Sequence, residues 1–105
     1  MEAVSMDQIV MELVVSGGNA RSKAMEAIKA AKKGDFETAK EKIKEANEAL
    51  NKAHNFQTGL IQKEAGGEGV EISLLMIHAQ DHLMNAMTVR DLAKEMVCMY
   101  EKFRK

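Results

Sequence analysis

A chain of 105 residues suits a single domain over 1–105 and buries only a modest core alone, so self-association is a natural source of further burial. Fifteen Lys and Arg against sixteen Asp and Glu leave a formal net charge of −1, which gives no electrostatic reason to expect nucleic acid or an acidic membrane as partner. One cysteine excludes an intrachain disulfide, no apolar run is long enough to span a bilayer, and the opening MEAVSMDQIVMELVV lacks a basic leader; a cytoplasmic protein that does not span a membrane is expected.

The lack of proline, the 4% aromatic content and the many Ala, Leu, Glu and Lys residues predict an all-α chain. The first helix is predicted over Met6–Lys33. Ser5 with Gln8 three residues later resembles a capping box at its start. Ile9, Val10, Leu13, Ala20, Ala24, Ala27, Ile28 and Ala31 recur at helical spacing. Gly17 and Gly18 interrupt its middle at roughly 1 kcal/mol each against alanine, so either the helix bends there or another backbone comes close. Lysines followed by Gly34 suit a helix C-terminus, and Asp35 can cap the next helix. That helix, Phe36–Ala65, repeats small residues at Ala39, Ala46, Ala49 and Ala53, with Phe36, Ile43, Leu50, Phe56 and Leu60 among them and Lys and Glu between. The run from Gly66 to Gly69 has no strand before it and no GK[ST] ending, so it reads as a flexible interhelix turn rather than a phosphate loop. The third helix is predicted over Val70–Lys105. Short connections make neighbours antiparallel, which gives an up-down-up three-helix bundle.

From Val70 to Val89 the third helix is apolar on nearly every face. A three-helix bundle cannot bury every face of one helix, and another subunit is the simplest remedy. Leu74, Ile77, Asp81, Met84, Thr88 and Leu92 form a stripe like a coiled-coil seam, with Asp81 inside it. A lone carboxylate in a seam is costly unless paired, protonated or bound to metal. In a symmetric trimer three copies meet at the axis, where their repulsion is relieved by protons or by a cation with oxygen ligands such as Mg²⁺. A polar residue in a seam also fixes register and oligomer state, and the two roles can coexist at Asp81.

His78, Asp81, His82 and Asn85 fall within an arc of roughly 100°. His78 and His82, one turn apart, admit three readings. They can share zinc with Asp81 or His54, although HxxDH lacks the glutamate of HExxH and no cysteine is near. They can be packed, hydrogen-bonded structural histidines. Or a neutral imidazole nitrogen of His78 can attack a phosphoryl group and hold it as a phosphoramidate, with His82, Gln80, Gln57 and His54 orienting the ring or binding phosphate. Lys and Arg are sparse nearby in sequence, so cationic help would come from another helix or chain.

The segment HAQDHLM, His78 to Met84, resembles the phosphorylation-site segment of enzyme IIA proteins of the lactose/cellobiose class of the bacterial sugar phosphotransferase system. GNARSKAMEAIKAAKKGDFETA, Gly18 to Ala39, resembles that family's first interhelix junction. EANEALNKAHNFQTGLIQKEAGGEG, Glu45 to Gly69, resembles its second helix and loop, so the likeness covers nearly the whole chain. The resemblance implies a three-helix subunit assembled as a homotrimer, a nine-helix bundle. It implies that His78 accepts a phosphoryl group from the histidine-containing phosphocarrier protein and passes it to a cysteine of the sugar-specific enzyme IIB during disaccharide uptake. It implies a divalent cation, Mg²⁺ by chemistry, held by Asp81 at the three-fold axis, and no organic cofactor. Gln80 and His82 match the motif and are expected to contribute around His78, at a junction between subunits. Ala79 leans toward cellobiose/chitobiose members over lactose members. The alternative is a non-catalytic oligomerisation or adaptor bundle with structural histidines.

Two further expectations concern sulfur. Cys98, among Met96, Val97 and Met99, is expected as a buried small apolar side chain rather than a reactive thiol. The methionines are expected mostly in the core, with some on an adaptable docking surface.

Overall fold

The computed structural model describes residues 6–69 and 72–104, which form three helices and their connections: α1 (Met6–Lys32), α2 (Phe36–Ala65) and α3 (Leu74–Phe103). Ser5, and with it the expected capping box, lies outside the described residues. α1 ends in a left-handed turn at Gly34, φ 85°, where the Gly34 N–H donates to Ala31 and the Asp35 N–H to Ala30. Asp35 then caps α2: its Oδ1 accepts from the Thr38 N–H at 3.1 Å, and the hydrogen bonds from Thr38 hold the carboxyl below the ordinary aspartate value. α2 stops at Gly66, whose N–H donates to Gln62 at 2.9 Å, and Gly67 takes the left-handed conformation that follows.

α3 starts at Leu74, not at Val70. Ile72 and Ser73 are not helical, and the Ser73 Oγ accepts from the Met76 N–H at 3.1 Å. Apolar periodicity continues through Ile72, but the cap is what satisfies an otherwise orphaned N–H, so the cap sets the boundary.

Pairs across the helices fix the topology. Lys23 meets Glu45 at 3.2 Å and Lys52 meets Glu12 at 3.5 Å, so α1 and α2 are antiparallel. Glu45, then Glu26, hold the Lys23 ammonium above its ordinary pKa. Arg90 donates to Asn47 at 2.6 Å and Lys40 meets Glu101 at 2.9 Å, so α2 and α3 are antiparallel as well. Gly17 lies against His82, and Arg104 reaches the Lys32 carbonyl at 3.5 Å, so α1 and α3 run parallel. The order is up-down-up. Solvated ion pairs contribute little to stability, and burial must supply the rest.

That burial is built from small residues. Ala20, Ala24, Ala27 and Ala31 of α1, Ala39, Ala46 and Ala53 of α2, and Ala79, Ala86 and Ala93 of α3 have no exposed surface. Leu13 and Leu83 are the largest fully buried side chains. Alanine spines let helix axes approach closely, and the result is a rod of 56 × 23 × 21 Å. Its radius of gyration, 16.2 Å, exceeds the ~13 Å of a compact chain of this length. A rod has much surface for its volume, so large apolar groups are left outside.

They are concentrated on α3. Its buried face is Met76, Ala79, Leu83, Ala86, Ala93 and Val97. Its outer face carries Leu74, Ile77, Met84, Leu92, Met99 and Phe103, each about half exposed or more, with Asp81 and Thr88 in the same row. The apolar row expected from the sequence therefore lies on the outer face, and among the described residues no other helix covers it. Two expectations fail on this outer side. Cys98 is exposed, because only Val97 of its apolar neighbourhood faces the core. Among the described methionines only Met76 is buried, while Met11, Met25, Met84, Met96 and Met99 are exposed. An alanine-lined interior has no room for so many long side chains.

Candidate functional site

His78 stands exposed in the second turn of α3, one turn beyond the Ser73 cap. His82, a turn further on, is half-buried. Their rings are stacked, with centroids 5.9 Å apart and planes 25° from parallel. Stacked rings send their in-plane nitrogen lone pairs side by side, which is poor geometry for sharing one zinc ion. Among the described residues no three His, Cys, Asp or Glu side chains come together to hold a metal. His54 is exposed on α2.

The buried side of His82 rests on α1. A methyl group at Gly17 would lie 3.1 Å from its Cδ2, and one at Gly18 would lie 3.4 Å from its Nε2. The glycine pair thus marks a close approach rather than a break, since α1 runs uninterrupted through it. Beside His82 opens a groove of about 470 Å³ lined by Gly18, Arg21, Ser22, Met25, Glu26 and Lys29. Glu26 pairs with Lys23 at 3.9 Å and Lys42 at 3.7 Å, both outside this lining. Among the described residues Arg21 and Lys29 have no ion-pair partner, so the groove is net positive. The sequence points to cationic help from elsewhere without saying where. The nearest unpaired cations to His82 lie on α1, some sixty residues upstream (Arg21 to His82), and the only local signal for them is that Arg21 follows the glycines by one turn.

Gln80 sits differently. It lies two positions past His78, roughly 200° around the helix. Its Oε1 accepts from Gln57 Nε2 at 2.7 Å, and its own amide nitrogen is 3.8 Å from the Met76 sulfur. Within one subunit Gln80 therefore joins α3 to α2 and does not touch His78. Gln57, whose Nε2 also approaches the Met84 sulfur at 3.7 Å, belongs to the same contact.

Asp81 is exposed in the outer row between Ile77 and Met84, where its Oδ2 accepts from Asn85 Nδ2 at 3.3 Å. One carboxylate per chain is a hard oxygen donor, suited to Mg²⁺ or Ca²⁺, but too few for a site. Copies of the chain would have to converge to complete one.

A cavity of about 600 Å³ lies at the far end of α3 and is lined by Lys32, Met96, Met99, Tyr100, Phe103 and Arg104. It is roughly 30 Å along the helix from His78, and His78 lines neither it nor the groove. An imidazole on an open surface suits contact with another protein better than capture of a small molecule.

Three comparisons converge. The chain is 61% identical over 97 residues to the lichenan-specific phosphotransferase enzyme IIA component of Bacillus subtilis, covering 92% of this chain and 88% of that one. It superposes on the crystal structure of the cellobiose-specific enzyme IIA of Bacillus anthracis with a TM-score of 0.90 at 53% identity, over 96% and 93% of the two chains. It also matches the IIA(chitobiose) chain of the Escherichia coli IIA–HPr complex, with a TM-score of 0.83 at 42% identity, over 98% of this chain and 100% of that one. The model of the lactose/cellobiose-specific IIA subunit matches residues 8–101. The exposed imidazole of His78, the His82 stacked on it and the three-helix rod that carries both are thus those of a phosphotransferase component, and the chain belongs to the lactose/cellobiose-specific IIA subunit family of the phosphotransferase system.

Proposed function

We propose that this IIA subunit relays its phosphoryl group on His78, with HPr, the histidine-containing phosphocarrier protein, as donor and a cysteine of a cognate enzyme IIB as acceptor. The observation that carries the reading is the exposed His78 ring stacked at 5.9 Å on a half-buried His82. A relative of the same fold forms a complex with HPr.

The chemistry balances without an outside reagent. A lone pair on a neutral His78 nitrogen forms the N–P bond while the P–N bond to the donor imidazole breaks, and that electron pair returns to the donor ring. In the second step a thiolate lone pair forms S–P and the N–P pair returns to His78. The other His78 ring nitrogen keeps its proton throughout. His82 orients the His78 ring. Side chains on a helix lean toward its N-terminus, so the phosphoryl group lies over the first turn of α3, at the positive end of its dipole. Arg21 and Lys29 add positive potential from α1.

The outer row of α3 is the assembly seam of a homotrimer. Leu74, Ile77, Met84, Leu92, Met99 and Phe103 leave too much apolar surface uncovered for an isolated rod, and a symmetric neighbour covers it. Asp81 carboxylates then meet at the axis, where a divalent cation such as Mg²⁺ neutralises them. Gln80, turned from its own His78, contributes at the subunit junction through the Gln57 contact. The relay serves cytoplasmic uptake of a disaccharide of the cellobiose, chitobiose or lactose type.

The test is phosphate acceptance. The protein is mixed with phosphorylated HPr, and acid-labile phosphate is mapped by intact mass and peptide analysis, with His78→Ala beside it. Phosphate on His78 is the expected result. A folded protein that takes no phosphate from an active donor would leave an adaptor bundle with structural histidines.

A further inference from the structure

We infer that Gly17 and Gly18 are positioning residues of the relay: the bare backbone they leave on α1 seats the His82 ring, and through it the His78 ring. This rests on the reading of His78 as the phosphoryl carrier.

Adjacent glycines in the middle of a helix weaken it, and something must compensate. Backbone conformation does not explain them. Neither has positive φ, unlike Gly34 and Gly67, and α1 is continuous across both. Any residue could adopt their geometry. Space explains them instead, and the space belongs to one side chain. The shortest contact a Cβ would make at Gly17 is with His82 Cδ2 at 3.1 Å, closer than carbon atoms pack without something moving. Among the described residues, the one atom outside the local α1 backbone within 4 Å of a Cβ at Gly18 is His82 Nε2 at 3.4 Å. The α3 backbone is not the obstacle: Leu83 Cα and the His82 carbonyl lie 3.5 and 3.6 Å from the Gly17 position, ordinary contact distances. The helical Gly59 of α2 is the internal contrast, since a methyl there would meet nothing within 4 Å.

His82 is thus held between two surfaces. One edge, Cδ2 to Nε2, lies on the glycine pair, and His78 is stacked upon it. A methyl at position 17 displaces the ring by a few tenths of an ångström, and the ring's neighbour is the nucleophile. A methyl at position 18 lies against Nε2 at 3.4 Å, and Gly18 and His82 both line the groove that holds Arg21 and Ser22. Displacements of this size at a reacting centre slow chemistry even when binding is intact.

The sign of the effect on folding separates this role from a structural one. Alanine favours helix over glycine, so Gly17→Ala and Gly18→Ala should leave the thermal midpoint unchanged or raise it while slowing transfer. The experiment measures transfer from phosphorylated HPr to wild type, Gly17→Ala, Gly18→Ala and Gly59→Ala, resolving kcat from KM, with thermal midpoints and histidine ring NMR of each. The expected result for Gly17→Ala is a fall in kcat of about tenfold or more with KM unchanged. His82 and His78 ring resonances should both move, and Gly18→Ala should be milder. Gly59→Ala should transfer like wild type. The same Gly17 change in a His82→Ala background closes a double-mutant cycle and covers the case of an unstable single variant: with the ring gone, Gly17→Ala should slow transfer no further. Transfer by Gly17→Ala at the wild-type rate, or an equal loss in the presence and absence of His82, overturns the inference. Phosphate that maps away from His78 in wild type overturns the relay reading itself, a different and separately visible result.

Discussion

Replacing Leu92 with glutamate separates the seam from the fold. Leu92 is 54% exposed in one subunit, so a carboxylate there finds water and the packing of α1, α2 and α3 is untouched. Full burial of a leucine contributes about 1.5–3 kcal/mol, so covering the exposed half contributes about 1 kcal/mol per subunit and about 3 kcal/mol over three copies. The substitution removes that and brings three carboxylates into an apolar layer, where each ion costs several kcal/mol unless neutralised. Even if protonation or water relieves most of the charge, the assembly constant falls by a factor on the order of 10³. Sedimentation velocity across a concentration series reads the oligomer, and far-UV circular dichroism reads the helices. The expected outcome is a trimer for wild type and a fully helical species of one-third the mass for Leu92→Glu. A Leu92→Glu protein that stays trimeric at the same concentrations would refute the seam argument, as would a wild type that is monomeric at high concentration.

Leu83→Ala empties the largest buried site on α3 and should cost about 2–5 kcal/mol, seen as a lower urea midpoint with an unchanged slope; a loss below about 1 kcal/mol would mean the core closes around the void. Asp35→Ala should lower the thermal midpoint at neutral pH. The folded carboxyl is depressed from its ordinary 3.8, so its contribution is full above that value and fades as pH falls below it; the gap between variant and wild type should close in acid, and a gap that widens there would contradict the cap assignment. Asp81→Leu should abolish any dependence of the protein's thermal midpoint on Mg²⁺ or chelator while His78 still takes phosphate. Persistent Mg²⁺ dependence in that variant would place the cation elsewhere.

The parts of the molecule governed by local rules were readable from the sequence. Gly34 with Asp35, and Gly66 with Gly67, mark the turns because the geometry of helix ends is decided within four residues. The apolar outer row of α3 was readable because it is periodic. What escaped is what depends on distant residues. The start of α3 slipped because apolar spacing extends past the Ser73 cap. Cys98 looked buried because its sequence neighbours are apolar, yet only Val97 turns inward. The glycine pair left two options open, and the choice between them required His82, which is far away in the chain. Arg21 and Lys29 share a groove with His82 for the same reason, and Gln80 turns away from His78 because a two-residue step crosses the helix.

The alanine spine has a consequence for mutational drift. A leucine core can exchange one bulky side chain for another and repack, and volume-conserving swaps are usually mild. Where helices meet through single methyl groups there is no such exchange: every replacement except glycine adds atoms between helices that already touch, at about 1–3 kcal/mol for each jammed site. Random substitution should therefore be tolerated across the lysine and glutamate surface and rejected along Ala24, Ala46, Ala79 and Ala86. A saturation library scored for folding alone would trace the helix contacts as three lines of intolerance, before any selection for phosphate transfer was applied.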